Sequence, residues 1–223
     1  MTVGTVGSLS RHHHSVVIET IKVAEHLLNG DHTPNSWSIA NISPLAAYHL
    51  TDESMRETLE MLLMGKSKTD IDAAFVYVKL LQHLMMETLT NPSEIYQFVL
   101  ETAEKLQNKR LYITAKLMSM LHGQTATAED LFGRNRDIHD VIQNLMIAIH
   151  TFVSNANNPE YAMVTETSKT APDSIYTIKL VGEMCGALYG YEWMPMLWVT
   201  SHMTTESLAY ITALSHRLTL VSQ

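Results

Sequence analysis

Residues 182–195 read Gly182-Glu-Met-Cys-Gly-Ala-Leu-Tyr-Gly-Tyr-Glu-Trp-Met-Pro195, and this stretch decides the fold. Gly182, Gly186 and Gly190 recur every four residues, so they fall near one face of a helix. Glycine costs a helix about 1 kcal/mol each relative to alanine. Three in register therefore predict a second helix crossing close by, where side chains would obstruct. The helix is expected from Ser174 to Tyr189. Thr205 to Val221 supplies one more helix after it.

Working outward, apolar residues recur at helical spacing along nearly the whole chain. Helices are expected over Val16–Leu28, ended by Asn29-Gly30, and over Asp52–Met64, stopped at Gly65. Thr69 is read as the cap of a long apolar helix reaching Thr88, with Asp72 in its first turn favouring the positive helix end. Asn91-Pro92-Ser93-Glu94 combines a capping Asn, a first-turn Pro and a Glu able to reach back. That helix runs to about Asn108. Further helices are expected over Arg110–His122, Asp137–Ser154 and Asn158–Thr165. No stretch alternates every second residue with turn chemistry, which predicts little or no sheet. The loops fall at Asn29–Asn41, Gly123–Arg136 and Thr165–Asp173. The fold class is all-α: a single-domain helical bundle over residues 1–223, with 1–14 a flexible or degenerate leader.

Composition bounds the partners. The chain has 223 residues, 46% of them hydrophobic, with a formal net charge of -8. Its carboxylates are scattered, and no Lys/Arg cluster marks a nucleic-acid or anionic-membrane surface. No apolar run reaches the roughly 18 residues a membrane span needs, and no signal-peptide stretch opens the chain. A lone cysteine, Cys185, allows no internal disulfide. It fits an intracellular, reducing compartment, the cytoplasm above all. Its small and apolar neighbours predict a buried thiol rather than a nucleophile. The fourteen methionines, as in Leu84-Met85-Met86 and Met118-Ser119-Met120, are read as filler of irregular core gaps rather than a cofactor box.

The opening stretch also resembles the C-terminal signature of the ADP-ribosyl-glycohydrolase family, a Gly-rich helix ending in a GALYG-x-E-x-(I/M)-P pattern. Upstream, Ile42-Ser-Pro-Leu-Ala-Ala-Tyr-His-Leu-Thr-Asp-Glu53 looks like that family's I-A-P-L-A-L stretch and the helix after it. Thr69-Asp-Ile-Asp-Ala-Ala74 looks like its PDAVDAA helix start. The resemblance runs roughly from Asn35 to Val221 and is weakest from about Asn91 to Arg136. It implies an all-helical bundle of the ADP-ribosyl-glycohydrolase type. It also implies two magnesium ions in the cleft, held by Asp and Thr of an N-terminal TDDT motif and a C-terminal GGD(T/S)D(T/S) motif. Hard oxygen ligands suit that metal, which would activate water or steady charge at the anomeric carbon.

The metal motifs are depleted here. Ala171-Pro-Asp-Ser-Ile-Tyr176 places Asp173 at the first metal-binding Asp and Ser174 at the following hydroxyl, but Ile175 stands at the second Asp. No TDDT occurs. The nearest counterpart is His12-His13-His14-Ser15, whose imidazoles suit softer metals than magnesium. Three consecutive His cannot all face one site on a helix, so the bland reading is a polar leader. The family's GNGAAMR loop is replaced by Asn35-Ser-Trp-Ser-Ile-Ala-Asn41.

Two functions follow as expectations. In the first, the chain is a pseudoenzyme that acts by binding, with no cofactor. Its ligand-holding version keeps an ADP-ribose-like or nucleotide ligand, with Trp37 and Tyr176 stacking, Asp173 accepting ribose hydroxyls, and Ser36, Asn41 and Ser174 adding polar contacts. Its assembly version acts as a subunit with protein partners or as a homo-oligomer. In the second, an altered but active hydrolase uses Asp173 as base or ligand, with His12, His13, His14 or Asp140 and residual magnesium. The plain reading of Asp137 and Asp140 is helix capping. Glu183 is costly inside a helix bundle unless paired, and Lys179, one turn earlier, is the nearest partner.

Overall fold

The computed structural model describes residues 19–30, 37–48, 50–121, 132, 140–167, 174–190, 192–202 and 204–221. Among these residues the chain is all helix, with no strand. Ten α-helices occur: α1 (19–28), α2 (Asp52–Leu62), α3 (Lys68–Met85), α4 (Pro92–Lys105), α5 (Lys109–Leu121), α6 (Val141–Ser154), α7 (Pro159–Thr167), α8 (Ser174–Tyr189), α9 (Met196–His202) and α10 (Thr205–Val221). Two 3-10 turns, Ile39–Asn41 and Ser43–Ala47, link α1 to α2.

Two helices form the centre. Every residue of α3 from Asp72 to Val78 is buried, and α6 is buried at Ile142, from Asn144 to Ile149 and from Thr151 to Val153. A helix apolar on all sides must be surrounded. Accordingly α3 packs against α2, α4, α6 and α8, while α6 packs against α5, α7 and α8. Tyr77, Phe152, Leu80 and Leu145 are among the fully buried side chains. Each such residue contributes roughly 1.5–3 kcal/mol by leaving water.

Local chemistry sets the helix ends. Asn91 caps α4 by accepting the Ser93 N–H, with Pro92 in the first turn. Asp140 caps α6, accepting the Ile142 and Gln143 N–H groups, and it also pairs with Arg110. The start of α3 differs from the expected Thr69. Ser67 is the cap, in a reciprocal box with Asp70 at 3.1 Å each way. Asp72 is therefore not a first-turn residue. It is 1% exposed and accepts from Arg56 on α2 and from Asn108, both at 3.1 Å. Asn108 in turn accepts the Leu111 N–H through its side chain and donates its own N–H to the Ala103 carbonyl, so it both opens α5 and closes α4.

The glycine stripe behaves differently at each position. A Cβ on Gly182 would lie 3.4 Å from the Met163 thioether of α7, an ordinary contact with the end of a flexible side chain, so a crossing that requires glycine, as expected of the stripe, is not found there. A Cβ on Gly186 would meet nothing within 4 Å. Gly190 ends α8 in the left-handed region, at φ 70°, with its N–H bonded to the Gly186 carbonyl. That backbone conformation suits a residue without Cβ.

Methionine divides between core and surface. Met55, Met118, Met146 and Met184 are buried, whereas Met64, Met85, Met86, Met120, Met194 and Met196 stand at the surface. α9 was not expected. It starts directly after Pro195, whose carbonyl accepts the Trp198 N–H at 2.8 Å. α10 lies mostly exposed, with Leu214 buried and the Tyr210 hydroxyl donating to Glu25 of α1. No described helix is long and apolar enough to cross a membrane.

Candidate functional site

Four segments distant in sequence converge on one cleft of about 180 Å³. The Ser38–Ile39 turn forms one wall. Leu63, Lys66 and Asp70, at the α2–α3 junction, form the second. Val141 and Asn144 near the start of α6, with Tyr176 and Leu180 near the start of α8, form the third. Loops and helix ends meeting in a bundle commonly build such a site. The Trp37 N–H donates to the Leu62 carbonyl at 3.1 Å and holds the first wall against the end of α2.

A buried polar knot fixes the spacing of the other walls. Lys179 and Glu183 form an ion pair at 3.1 Å, with side chains only 15% and 17% exposed. The Lys179 ammonium also donates to Thr20 Oγ1 of α1 and to the carbonyl of Ala40. Glu183 accepts from Ser43 Oγ at 2.6 Å and from the Tyr77 hydroxyl of α3. Ala40 adjoins Ile39, and Lys179 adjoins Leu180, so the knot holds two cleft-lining residues in register. Tyr77 is fully buried, and burial together with the Glu183 charge pushes its phenol pKa well above the usual value. Glu183 was expected to pair with Lys179; the partners on α1, α3 and the 3-10 turns were not visible in sequence.

The residues anticipated from sequence fall in several places. Tyr176 lines the cleft and is exposed at its edge. Trp37 is half-buried and meets His26 edge-on, with ring centroids 5.0 Å apart. Asn41 is 1% exposed and accepts from the Ser38 hydroxyl. Ser174 is the first residue of α8. Ser36, Asp173 and His12, His13 and His14 lie outside the described residues. Lining residues missed in sequence are Ser38, Lys66, Asp70 and Asn144. Asn144 left a signal, as a polar residue inside the otherwise largely apolar run Val141–Phe152.

The lining suggests what the cleft can hold. Ile39, Leu63, Val141 and Leu180 give it an apolar floor, and Ser38, Lys66, Asn144 and Tyr176 place hydrogen-bonding groups around it. Its volume is below the roughly 300–1,000 Å³ that encloses a drug-sized ligand. A larger ligand would lie partly outside it. Among the described residues no three His, Cys, Asp or Glu side chains gather to hold a metal ion, and Asp173, which the resemblance places at the first metal-binding Asp, lies outside them. Magnesium ions need several free oxygen ligands at about 2.1 Å. Asp70 accepts the Ser67 N–H, and Glu183 already has three donors. The Cys185 thiol is buried, and burial pushes its pKa up to about 12, which suits a packing residue and not a nucleophile.

Scanned against models of known protein families, the sequence matches none, and no curated protein sequence matches it significantly.

Proposed function

We propose that this chain acts by binding, as an ADP-ribosyl-glycohydrolase-like bundle that has lost metal-dependent hydrolysis. The ligand is ADP-ribose-like or a nucleotide, with one ring seated in the cleft beside Tyr176. The supporting observation is the state of the interior carboxylates. Asp72, Asp140 and Glu183 each serve a cation and further donors of the fold itself. A carboxylate committed in this way to donors of the fold is poorly placed to serve a catalytic metal or water. The depletion of the metal motifs at Ile175 and at the N-terminus agrees with this reading. A single cysteine fits a reducing, intracellular compartment.

Calorimetry with ADP-ribose, with and without magnesium, tests the proposal. Binding is expected to be independent of magnesium and weakened by Tyr176→Ala. Release of ADP-ribose from a modified substrate, abolished by Asp173→Ala, would overturn it in favour of an active hydrolase. A subunit role is the second reading, motivated by the exposure of Leu208 and Tyr210 on α10. Absence of ADP-ribose binding, with a defined oligomer by light scattering, would favour that role.

A further inference from the structure

A second cleft, of about 600 Å³, opens between α2, α3 and α4. Its size falls inside the range of sites that enclose a small organic ligand. Four basic side chains line it: Arg56 from α2, Lys79 and His83 from α3, and Lys105 from α4. Gathering them in one concavity is notable for a chain of net charge -8. Phe98 and Leu106 supply an apolar wall.

Arg56, Lys79 and His83 each have a partner in the fold, and burial with the Lys79 charge lowers the His83 pKa, which leaves Arg56, Lys79 and the exposed Lys105 as the cations of the cleft. Arg56 Nη2 donates to Asp72 at 3.1 Å, and its guanidinium lies over the Phe75 ring, 5.7 Å from the centroid. Asn108 anchors the other oxygen of Asp72 from the opposite side. Such a carboxylate orients an arginine and leaves its remaining N–H groups for a ligand. The Lys79 side chain is 24% exposed, and its partner at 2.9 Å, Asp52, is 72% exposed. An exposed partner of this kind contributes little and is readily displaced. His83 is fixed through Nδ1 to Thr88 Oγ1 at 2.8 Å and edge-on to Phe98. The two carboxylates lining the cleft, Asp52 and Glu53, are both exposed residues.

We propose that this cleft binds a small phosphomonoester, with the phosphate on Arg56, Lys79 and Lys105 and the organic part against Phe98 and Leu106. A dianion matches several converging cations, and arginine beside lysine is a common phosphate-binding combination. The site is separate from the one beside Tyr176 and stands or falls without it.

Calorimetry on the whole chain with phenyl phosphate, and with phenol as the uncharged control, provides the test. Phenyl phosphate binds and phenol does not. Lys79→Gln with Lys105→Gln removes both charges and leaves polar side chains in their place. It weakens phenyl phosphate by roughly tenfold or more, as loss of charge-assisted bonds does. Tyr176→Ala leaves that affinity unchanged, and unchanged thermal melting confirms that the double variant is folded. No binding of phenyl phosphate at millimolar concentration, equal affinity for phenol, or undiminished affinity in the folded double variant would each overturn the proposal.

Discussion

Lys179 and Glu183 stand one helical turn apart on α8 and pair at 3.1 Å with both side chains more than four-fifths buried. On a helix surface such a pair contributes only a few tenths of a kcal/mol. Buried, it becomes a structural commitment, because either charge alone would be left desolvated. Removing one partner by Lys179→Met or Glu183→Leu is expected to cost about 3–5 kcal/mol, while the double variant recovers a large part of that loss. Urea midpoints of the four proteins give the coupling. Strictly additive losses would show that the two charges do not interact.

Asp72 and its neighbours predict a contrast of magnitude. Asp72→Ala strips the partner from Arg56 and from the buried Asn108, and should cost about 2–3 kcal/mol. Lys68 lies 3.8 Å from the same carboxylate but is 71% exposed. Lys68→Ala should cost less than about 0.5 kcal/mol. Equal effects in chemical denaturation would contradict the assignment of Arg56 and Asn108 as the effective partners.

One substitution should act with opposite sign at two glycines four residues apart. Gly186→Ala enters open space inside α8 and should stabilise by about 0.5–1 kcal/mol. Gly190→Ala has equal room but must hold φ at 70°, at a cost of about 1–2 kcal/mol. Gly182→Ala touches only the flexible end of Met163 and should be close to neutral. Thermal melting of the three variants reads the order directly.

Stability should also fall on the alkaline side. Burial raises the folded-state pKa of Tyr77, Tyr96 and Cys185, the last to about 12 from an ordinary 9.0. In the unfolded chain these groups lose their protons near their ordinary values, while the folded chain still holds them. Their contribution is whole below about pH 9 and is lost as pH rises through the interval, by up to about 1.4 kcal/mol per pH unit for each group. Urea midpoints from neutral pH upward should decline beyond pH 9, and Cys185→Ala with Tyr96→Phe should flatten the decline. A midpoint constant to about pH 11 would contradict it.

Much of the fold is legible in local chemistry. Asn91-Pro92 and Asp140 each announce a helix start in their own side chains, and both cap as expected. The pairing of Lys179 with Glu183 follows from four-residue spacing alone. What stays hidden is set by packing between segments. Nothing near Asp72 in sequence reveals Arg56, sixteen residues earlier on another helix. The same blindness made Met85 and Met120 look like core, because periodicity gives a face without saying whether another helix covers it. Of the residues lining the cleft at the start of α8, sequence pointed to Tyr176 and the 35–41 stretch that contains Ser38 and Ile39. It did not point to Lys66 or Asp70, which reach the cleft only through the α2–α3 turn.

The polar knot also puts a clock into synthesis. Tyr77 leaves the ribosome 106 residues before its acceptor Glu183, and Ser43 leaves 140 residues before it. At about 5–20 residues per second, Tyr77 waits roughly 5–20 s for its partner. Throughout that interval α3 carries a phenol, and the 3-10 turn a hydroxyl, that only water can satisfy. The bonds of the knot therefore cannot close until α8 arrives, after every other element they join has been made.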